Sequence, residues 1–532
     1  MPELIDELDL QRAWKRVNKN SQSDPIIPTV EYRAFGHNVS QALDAVRAEL
    51  GEGYQPSPLK TIDLPKPTLT LRPCAIPALT DRIYFQALVD TLACEVEPKL
   101  LDEASGVVFG FGLTPDPTDA DMFSGRRRTG FDEKERSDFE SGHRHILVSD
   151  VAAYYATVDH RILRSTLLGL GARPELVDEV MGMLSRWSEG TGRGLPQGLW
   201  ASDFLGARVY LNRIDKAMLR RGYRYFRYSD DFRALADSET ECRRALRDLT
   251  IELRRIQLFP QEAKTRVYSE DKAESHLNYL RARAKKVAGK DLAWVLELDP
   301  YGYDPSESLE KVAQETLLFS EPLLAALVEE ELSSDQPDAI LLRTCLRALK
   351  KIKSEAVIEQ AMALLVPLPC LTDVIVRYLR LSKDWERIKG AMIEFLSSPY
   401  NIYPWQEMWL LEYIRRGPYE ATEHLVLRER DLRVVDDVAF DRNRHWACRV
   451  AAIDILGKYD DDDYRFRIRD LYNDETNLDV RHAILQACVH LTKADRNRFF
   501  QACEGEDPRT DRVLAYLRER AVGEHADAPS SS

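Results

Sequence analysis

Residues 144–300 alternate short strand-like runs with amphipathic helices, and after about residue 305 the strand signal nearly vanishes. That switch constrains the fold most, because alternating elements and uninterrupted helices bury their apolar faces in different layer architectures. The strand-like runs are HILVSD (145–150), YRYFRYSDDFRAL (223–235) and KTRVYS (264–269). Between them stand the helical runs LRSTLLGLG, WASDFLGARVYLNRIDKAMLRR and ECRRALRDLTIELRRI. The alternation predicts an α+β core. Downstream, PDAILLRTCLRALKKI, SEAVIEQAMALLV and WERIKGAMIEFL are amphipathic helices with short polar breaks, as is ESLEKVAQETLLF at 307–319. RVAAIDIL (449–456) and RHAILQAC (481–488) look alike, with their arginines 32 residues apart. Spacing of this kind predicts an all-α, HEAT-like helical repeat domain. Upstream, residues 1–60 read as two helices around a proline-containing loop. Proline-punctuated β-like runs (61–77) and a helix from about Asp81 to Leu100 follow. Residues 104–143 read as a glycine-rich turn and a polar stretch with Arg126 to Arg128. The expected organisation is a helical segment (1–60), an α+β core (61–300), helical repeats (301–522) and a disordered tail (523–532).

Charge separates the same regions. The 532 residues carry 74 Lys and Arg against 88 Asp and Glu, a net −14, which disfavours a chain that coats long nucleic acid. Residues 1–300 are nearly balanced at 43 basic and 46 acidic, and 201–300 hold 21 basic against 16 acidic. The acidic surplus belongs to the C-terminal part, which therefore suits protein contacts better than a DNA-binding surface. No apolar run reaches the ~18 residues of a membrane span, and the start MPELIDELDLQRAWKR has no signal-peptide core. Eight scattered cysteines without CxxC or zinc spacing fit reduced thiols, so a cytoplasmic protein with no membrane partner is expected.

The chemistry concentrates in three places. Tyr228-Ser229-Asp230-Asp231 lies between apolar runs, so that two strands would hold adjacent carboxylates rigidly at a hairpin tip. Neighbouring aspartates repel, and a bound cation is their natural neutraliser. His145–Ser149 is an apolar strand that ends in Asp150, a second source of carboxylate oxygen. Together these acids could hold two divalent ions that activate a 3′-hydroxyl and stabilise leaving pyrophosphate. Between them, Gly194-Leu195-Pro196-Gln197-Gly198 allows close backbone approach to a ligand, Gln197 offers an amide, and Ser202 follows on a helix start.

In order and spacing these segments resemble motifs A, B and C of the reverse-transcriptase palm: D-x-x-x-Y-Y at 150–155, LPQG-x-x-x-S at 195–202 and Y-x-D-D at 228–231. Arg72-Pro73-Cys74-Ala75-Ile76-Pro77, followed by Asp81-Arg82-Ile83, resembles the fingers segment of bacterial reverse transcriptases, with Lys66 at the family's fingers lysine. Glu262-Ala263-Lys264-Thr265 is similar to motif D, although Gln261 breaks its usual beginning. The resemblance spans roughly residues 55–270 and implies a right-hand fingers–palm core. It further implies that Asp150, Asp230 and, more weakly, Asp231 ligate two Mg²⁺ or Mn²⁺ ions, with Val151 giving its carbonyl. Tyr155 falls on the steric-gate position, where a ring beneath the sugar excludes a 2′-hydroxyl. Lys66, Arg72 and Gln197 would contact the nucleotide. Lys264 either protonates pyrophosphate or is a solvated surface lysine.

Two features depart from the common pattern. Val108–Leu113 lacks the arginine of the family's Gly-x-Arg element, which leaves template contacts there in doubt, and no maturase-type thumb follows the palm. A palm joined to C-terminal α-repeats resembles the abortive-infection and related defence-associated reverse transcriptases of bacteria. That group implies antiphage defence, template-independent synthesis from dNTPs, a DNA product attached to a protein tyrosine, and homo-oligomers. Two other readings stand beside it: an RNA-templated enzyme that uses a cognate noncoding RNA, and a silent palm that serves as a protein-interaction scaffold. Arg126–Arg128 would grip phosphates or form a solvated loop. His143, His145 and His160 read as structural, and Asp460 to Asp463 as a solvated turn.

Overall fold

The computed structural model describes residues 2–51, 53–116, 119–123, 128–277, 321–417, 427–459 and 461–526. They form two compact units that interleave along the chain: residues 1–23, 49–61 and 74–316 in one, and 24–48, 62–73 and 317–532 in the other.

The chain begins with helices α1 (Pro2–Glu7) and α2 (Leu10–Ser21), the latter capped by the Asp9 side chain on Arg12 N–H. Helices α3 (Val30–His37) and α4 (Val39–Gly51) follow, so the N-terminal segment holds four helices where two were expected. Strands β1 (Lys60–Pro65) and β2 (Leu71–Ile76) pair as a hairpin. Helix α5 (Leu79–Val96) is buried nearly all round, so its sequence shows almost no polar face.

The centre of the first unit is a five-stranded sheet in the order β3-β5-β6-β4-β7. Its strands are β3 (Val108–Phe109), β4 (His145–Ser149), β5 (Arg224–Tyr228), β6 (Asp231–Ala236) and β7 (Arg266–Tyr268). Only β3 runs parallel to its neighbour. The polar stretch that follows the arginine triplet forms helix α6 (Arg128–Glu140), which turns Phe131 and Phe139 onto the sheet. There they meet Phe109, Ile146, Phe226 and Leu235, all buried. Side chains alternate along each strand, so Phe226 and Tyr228 face α6 while Tyr225 and Arg227 face the other way.

On the sheet pack α11 (Asn212–Arg220) and α12 (Glu239–Arg255), and the chain before them forms α7 (Tyr154–Thr157), α8 (His160–Gly169), α9 (Pro174–Trp187) and α10 (Trp200–Asp203). The run 200–221, expected as one helix, is interrupted by a π-helical segment at Phe204–Tyr210. All seven of its residues are buried; the Ala207 carbonyl accepts from Arg227 and the Tyr210 hydroxyl donates to the Ile256 carbonyl.

In the second unit, the described residues after 320 are helical. Helices Trp446–Lys458 and Leu478–Ala487 approach so closely that a Cβ on Gly457 would lie 2.4 Å from Ala487 Cβ. The two look-alike segments sit on these helices in similar roles: Arg449 pairs with Glu475, and Arg481 pairs with Glu506. The expected ESLEKVAQETLLF helix and the tail residues 527–532 lie outside the described residues, as does Asp460. Asp461 is a helix N-cap rather than part of a free turn. Among the described residues no helix is long and apolar enough to cross a membrane, and all eight cysteines are free thiols, only Cys94 being exposed.

Candidate active site

The acidic hairpin is a two-residue turn. Tyr228 pairs with Asp231 across it, leaving Ser229 and Asp230 at the tip. Ser229 adopts φ 51°, the left-handed conformation that tight hairpins require and that costs a non-glycine residue about 1 kcal/mol. What holds the strained turn is Arg227, which has no exposed surface. Its Nη1 donates to the Ser229 carbonyl (2.9 Å), its Nη2 to the Ala207 carbonyl of the π segment (2.7 Å), and Nε and Nη2 to Asp215 of α11 (both 2.7 Å).

Strand register carries Asp150 to the same place. Ser149 lies opposite Phe232, so the next residue, Asp150, comes level with the start of β6. Its backbone is fixed from the far side, where Gln261 N–H donates to the Asp150 carbonyl (2.7 Å) and Ala152 N–H to the Phe259 carbonyl (2.9 Å). Burial, and then the charge of Asp150, push the Asp230 carboxyl up to about 7. Two carboxylates crowded together in this way make a site short of positive charge.

Cations from the chain meet part of that demand. Lys264 Nζ reaches Asp150 Oδ2 at 2.6 Å, although the lysine itself is 65% exposed. Asp231 points toward α6, where Arg128 Nη1 donates to its Oδ2 (2.8 Å) and Arg233 binds Oδ1. Burial alone would raise Asp231, but the two guanidiniums outweigh it and hold its carboxyl below the usual range. Arg128 also lies over the Phe131 and Tyr228 rings, 4.6 and 5.7 Å from their centroids. Of the arginine triplet, Arg128 thus grips a carboxylate; Arg126 and Arg127 are outside the described residues.

Whether divalent ions suit this site can be judged from its donors. Asp150 and Asp230 are hard-oxygen ligands whose charges crowd one another, and they fit Mg²⁺ or Mn²⁺. Asp231, occupied by two arginines, is already compensated. Among the described residues no group of three or more His, Cys, Asp or Glu side chains is arranged as a ready metal cage.

The glycine-rich loop is pinned from several directions. Gly194 and Gly198 take φ 98° and 100°, and Ala156 and Tyr155 backbone atoms lie 3.7–3.9 Å from where a Gly194 Cβ would stand. Leu195 N–H donates to the Tyr155 carbonyl (2.8 Å), Ala75 N–H to the Gln197 carbonyl (3.1 Å), and His160 Nε2 meets the Gly194 carbonyl (2.7 Å). Asn20 of α2 donates to the Gly198 carbonyl (3.3 Å) and accepts from Trp200 N–H (3.3 Å) and from Arg82 (2.9 Å). Tyr155, half-buried beside this loop, donates its hydroxyl to Asp203. Burial raises the Asp203 carboxyl to about 7; the Tyr155 hydrogen bond lowers it and the charge of Asp230 adds to the rise.

The first unit therefore contains Asp150, Val151, Asp230, Asp231, Lys264, Tyr155 and Gln197, and brings Asp150, Asp230 and Lys264 into direct electrostatic contact. Lys66 and Arg72 belong to the 62–73 segment that groups with the second unit, Lys66 half-buried after β1 and Arg72 exposed on β2. Sequence reasoning missed Arg227, Asn20, Arg233 and Asp203. A cue existed for two of them: Arg227 is a lone charge in an aromatic strand, and Asp203 a lone acid at the head of the apolar run FLGARVYL.

A sheet that holds three aspartates at the ends of its central strands, with a pinned Gly-Leu-Pro-Gln-Gly loop in the same unit, has the layout of a polymerase palm. Residues 64–287 match the family described as reverse transcriptase (RNA-dependent DNA polymerase). That segment has the sequence of a reverse transcriptase domain. None of the curated proteins matches the chain. Among solved structures it is similar to telomerase from Candida albicans, determined in complex with a TWJ fragment of telomeric RNA, at 12% identity and a TM-score of 0.31. The alignment covers 68% of this chain and 62% of that one, so the chain spans less than two thirds of the telomerase length. At that score the likeness carries no argument.

Proposed function

We propose that the protein is a metal-dependent DNA polymerase that adds dNTPs by nucleotidyl transfer, in the manner of the defence-associated reverse transcriptases it resembles. The observation that carries this reading is the convergence of Asp150 and Asp230 at the ends of the central strands, where their combined charge calls for a cation. Two Mg²⁺ or Mn²⁺ ions held by Asp150, Asp230 and the Val151 carbonyl would activate the attacking hydroxyl and neutralise the leaving pyrophosphate. Asp231, clamped by Arg128 and Arg233, orients the hairpin more than it ligates. Tyr155 would stand against the nucleotide sugar, Gln197 beside the nucleotide, and Lys66 and Arg72 would reach the triphosphate. Lys264, whose Nζ reaches Asp150, would give a proton to the leaving pyrophosphate.

Template-independent, tyrosine-primed synthesis in antiphage defence is the reading we favour, with the 301–522 region as HEAT-like repeats that assemble copies of the chain. The near-neutral palm and acidic helical part support it, because a covalently tethered product needs no extended basic cleft. Incubating the full chain with Mg²⁺ or Mn²⁺ and labelled dNTPs, without nucleic acid, tests the reading. Label that survives denaturation and is lost on proteolysis supports it; dependence on co-purified, nuclease-sensitive RNA supports the templated alternative. Asp230→Ala should abolish labelling, and labelling that persists in this variant would overturn the catalytic role of Asp230.

A further inference from the structure

Asp203 is buried, 2% exposed, at the end of α10, between Ser202 and Phe204, which have no exposed surface. One of its oxygens accepts the Tyr155 hydroxyl; the other, Oδ2, is buried and has no hydrogen-bond partner among the described residues. A carboxyl in such surroundings destabilises the fold unless it serves a contact that an apolar residue cannot make. The contact here is the one to Tyr155.

That contact completes a rigid mounting. Ala153, at φ 48°, turns the chain sharply after β4 and starts the one-turn helix α7 that carries Tyr155. The Tyr155 carbonyl is fixed by Leu195 N–H, and one edge of its ring packs against Tyr154 at a centroid distance of 5.3 Å. The hydroxyl is then fixed at the far end of the ring by Asp203. Asp203 itself is held in place by the π-helical segment that follows it, where Ala207 accepts from Arg227 and Tyr210 donates to the Ile256 carbonyl (2.7 Å). A side chain fixed at both ends cannot rotate away from a ligand pressed on its face.

We propose that Asp203 is a positioning residue for sugar recognition: by anchoring the Tyr155 hydroxyl it keeps the ring a stiff wall against the nucleotide sugar, so that discrimination against ribonucleotides depends on Asp203 as well as on Tyr155. The proposal rests on the reading of Tyr155 as the residue facing the sugar. Removing the anchor leaves the ring present but free to yield, which weakens rejection of a 2′-hydroxyl without enlarging the site.

The test is the ratio of dissociation constants for ATP and dATP, measured by equilibrium dialysis on the full chain with Ca²⁺. The variants are Tyr155→Ala, Tyr155→Phe, Asp203→Leu and Asp203→Asn. Tyr155→Ala should abolish the preference for dATP. Tyr155→Phe and Asp203→Leu should each lower the ratio about tenfold, the equivalent of one buried hydrogen bond. Asp203→Asn, which retains an accepting oxygen, should stay within about twofold of wild type. If Tyr155→Ala removes the preference while Tyr155→Phe keeps the wild-type ratio, the anchoring role is wrong and the sugar-facing role stands. If Tyr155→Ala leaves the preference intact, the sugar-facing role fails first. Should Asp203→Leu not fold, Tyr155→Phe removes the same hydrogen bond and decides alone.

Discussion

Arg227 commits all three of its side-chain nitrogens beneath the acidic hairpin, and its removal has two separable consequences. Asp215, itself fully buried, loses the guanidinium that neutralises it and keeps only the Tyr225 hydroxyl (2.9 Å). Arg227→Met should therefore cost about 3–5 kcal/mol in urea unfolding, the usual penalty for a buried charge left without its partner. Pairing it with Asp215→Leu should recover most of that loss, since an apolar pair of similar volume avoids the desolvation of both ions. Nucleotide addition should not return with stability, because the Ser229 carbonyl still lacks its donor and the turn carrying Asp230 is no longer held. An active double variant would show that the strained turn needs no support from below. The three aspartates were legible in the sequence because their chemistry demands a residue type at a spacing. Arg227 was not, because its partner lies 12 residues upstream on a helix and its other contacts are backbone carbonyls.

Elements depend on similar distant ties. The Gly194–Gly198 loop looks like a free turn in the sequence, yet Asn20 reaches it across about 180 positions of chain to bind Gly198 and Trp200 and to accept from Arg82. Asn20→Ala removes the partner of the Gly198 carbonyl and the Trp200 N–H in a partly buried place, at a cost of about 1–3 kcal/mol for each that finds no water. The loss should be local: hydrogen exchange should accelerate at 194–200 while the β4–β6 core stays protected. Uniform acceleration across the sheet would mean that α2 supports the whole unit rather than this loop. Strands β4, β5 and β6 were readable from alternation, and α5 from its length. The π segment was not, since its largely apolar sequence satisfies a helical period, and only the tertiary bonds of Ala207 and Tyr210 reveal the wider turn. Helix α6 was hidden for the opposite reason: its sequence is so polar that the two phenylalanines facing the sheet do not stand out.

At the scale of the whole molecule the chain is interleaved, and this sets how it can be divided. Residues 24–48 precede the polymerase segment but belong with the C-terminal helices. Helix α3 is attached there by polar contacts: Glu31 takes a two-pronged bond from Arg509 (2.7 and 2.5 Å), Arg33 donates to Gln486 (2.5 Å), and the Trp405 indole donates to the Pro25 carbonyl (2.8 Å). Burial would push the Glu31 carboxyl up, but the Arg509 charge and hydrogen bonds bring it from an ordinary 4.5 down to about 2. A carboxyl depressed on folding stabilises the native state above its unfolded value and loses that contribution as pH falls through the folded one. The second unit should therefore lose about 3 kcal/mol as the pH falls from 4.5 to about 2, from this group alone. Glu31→Gln should lower stability at neutral pH and flatten the acid limb of the melting curve. The same contact predicts the behaviour of fragments. A chain ended at residue 300 keeps Glu31, Val30, Ala34 and Phe35, all buried in the intact protein, without the helices that cover them. It should aggregate when expressed alone and become soluble when residues 301–532 are co-expressed, with the two pieces co-purifying. A soluble, monomeric 1–300 fragment that retains nucleotide addition would show that α3 can leave the C-terminal helices without cost.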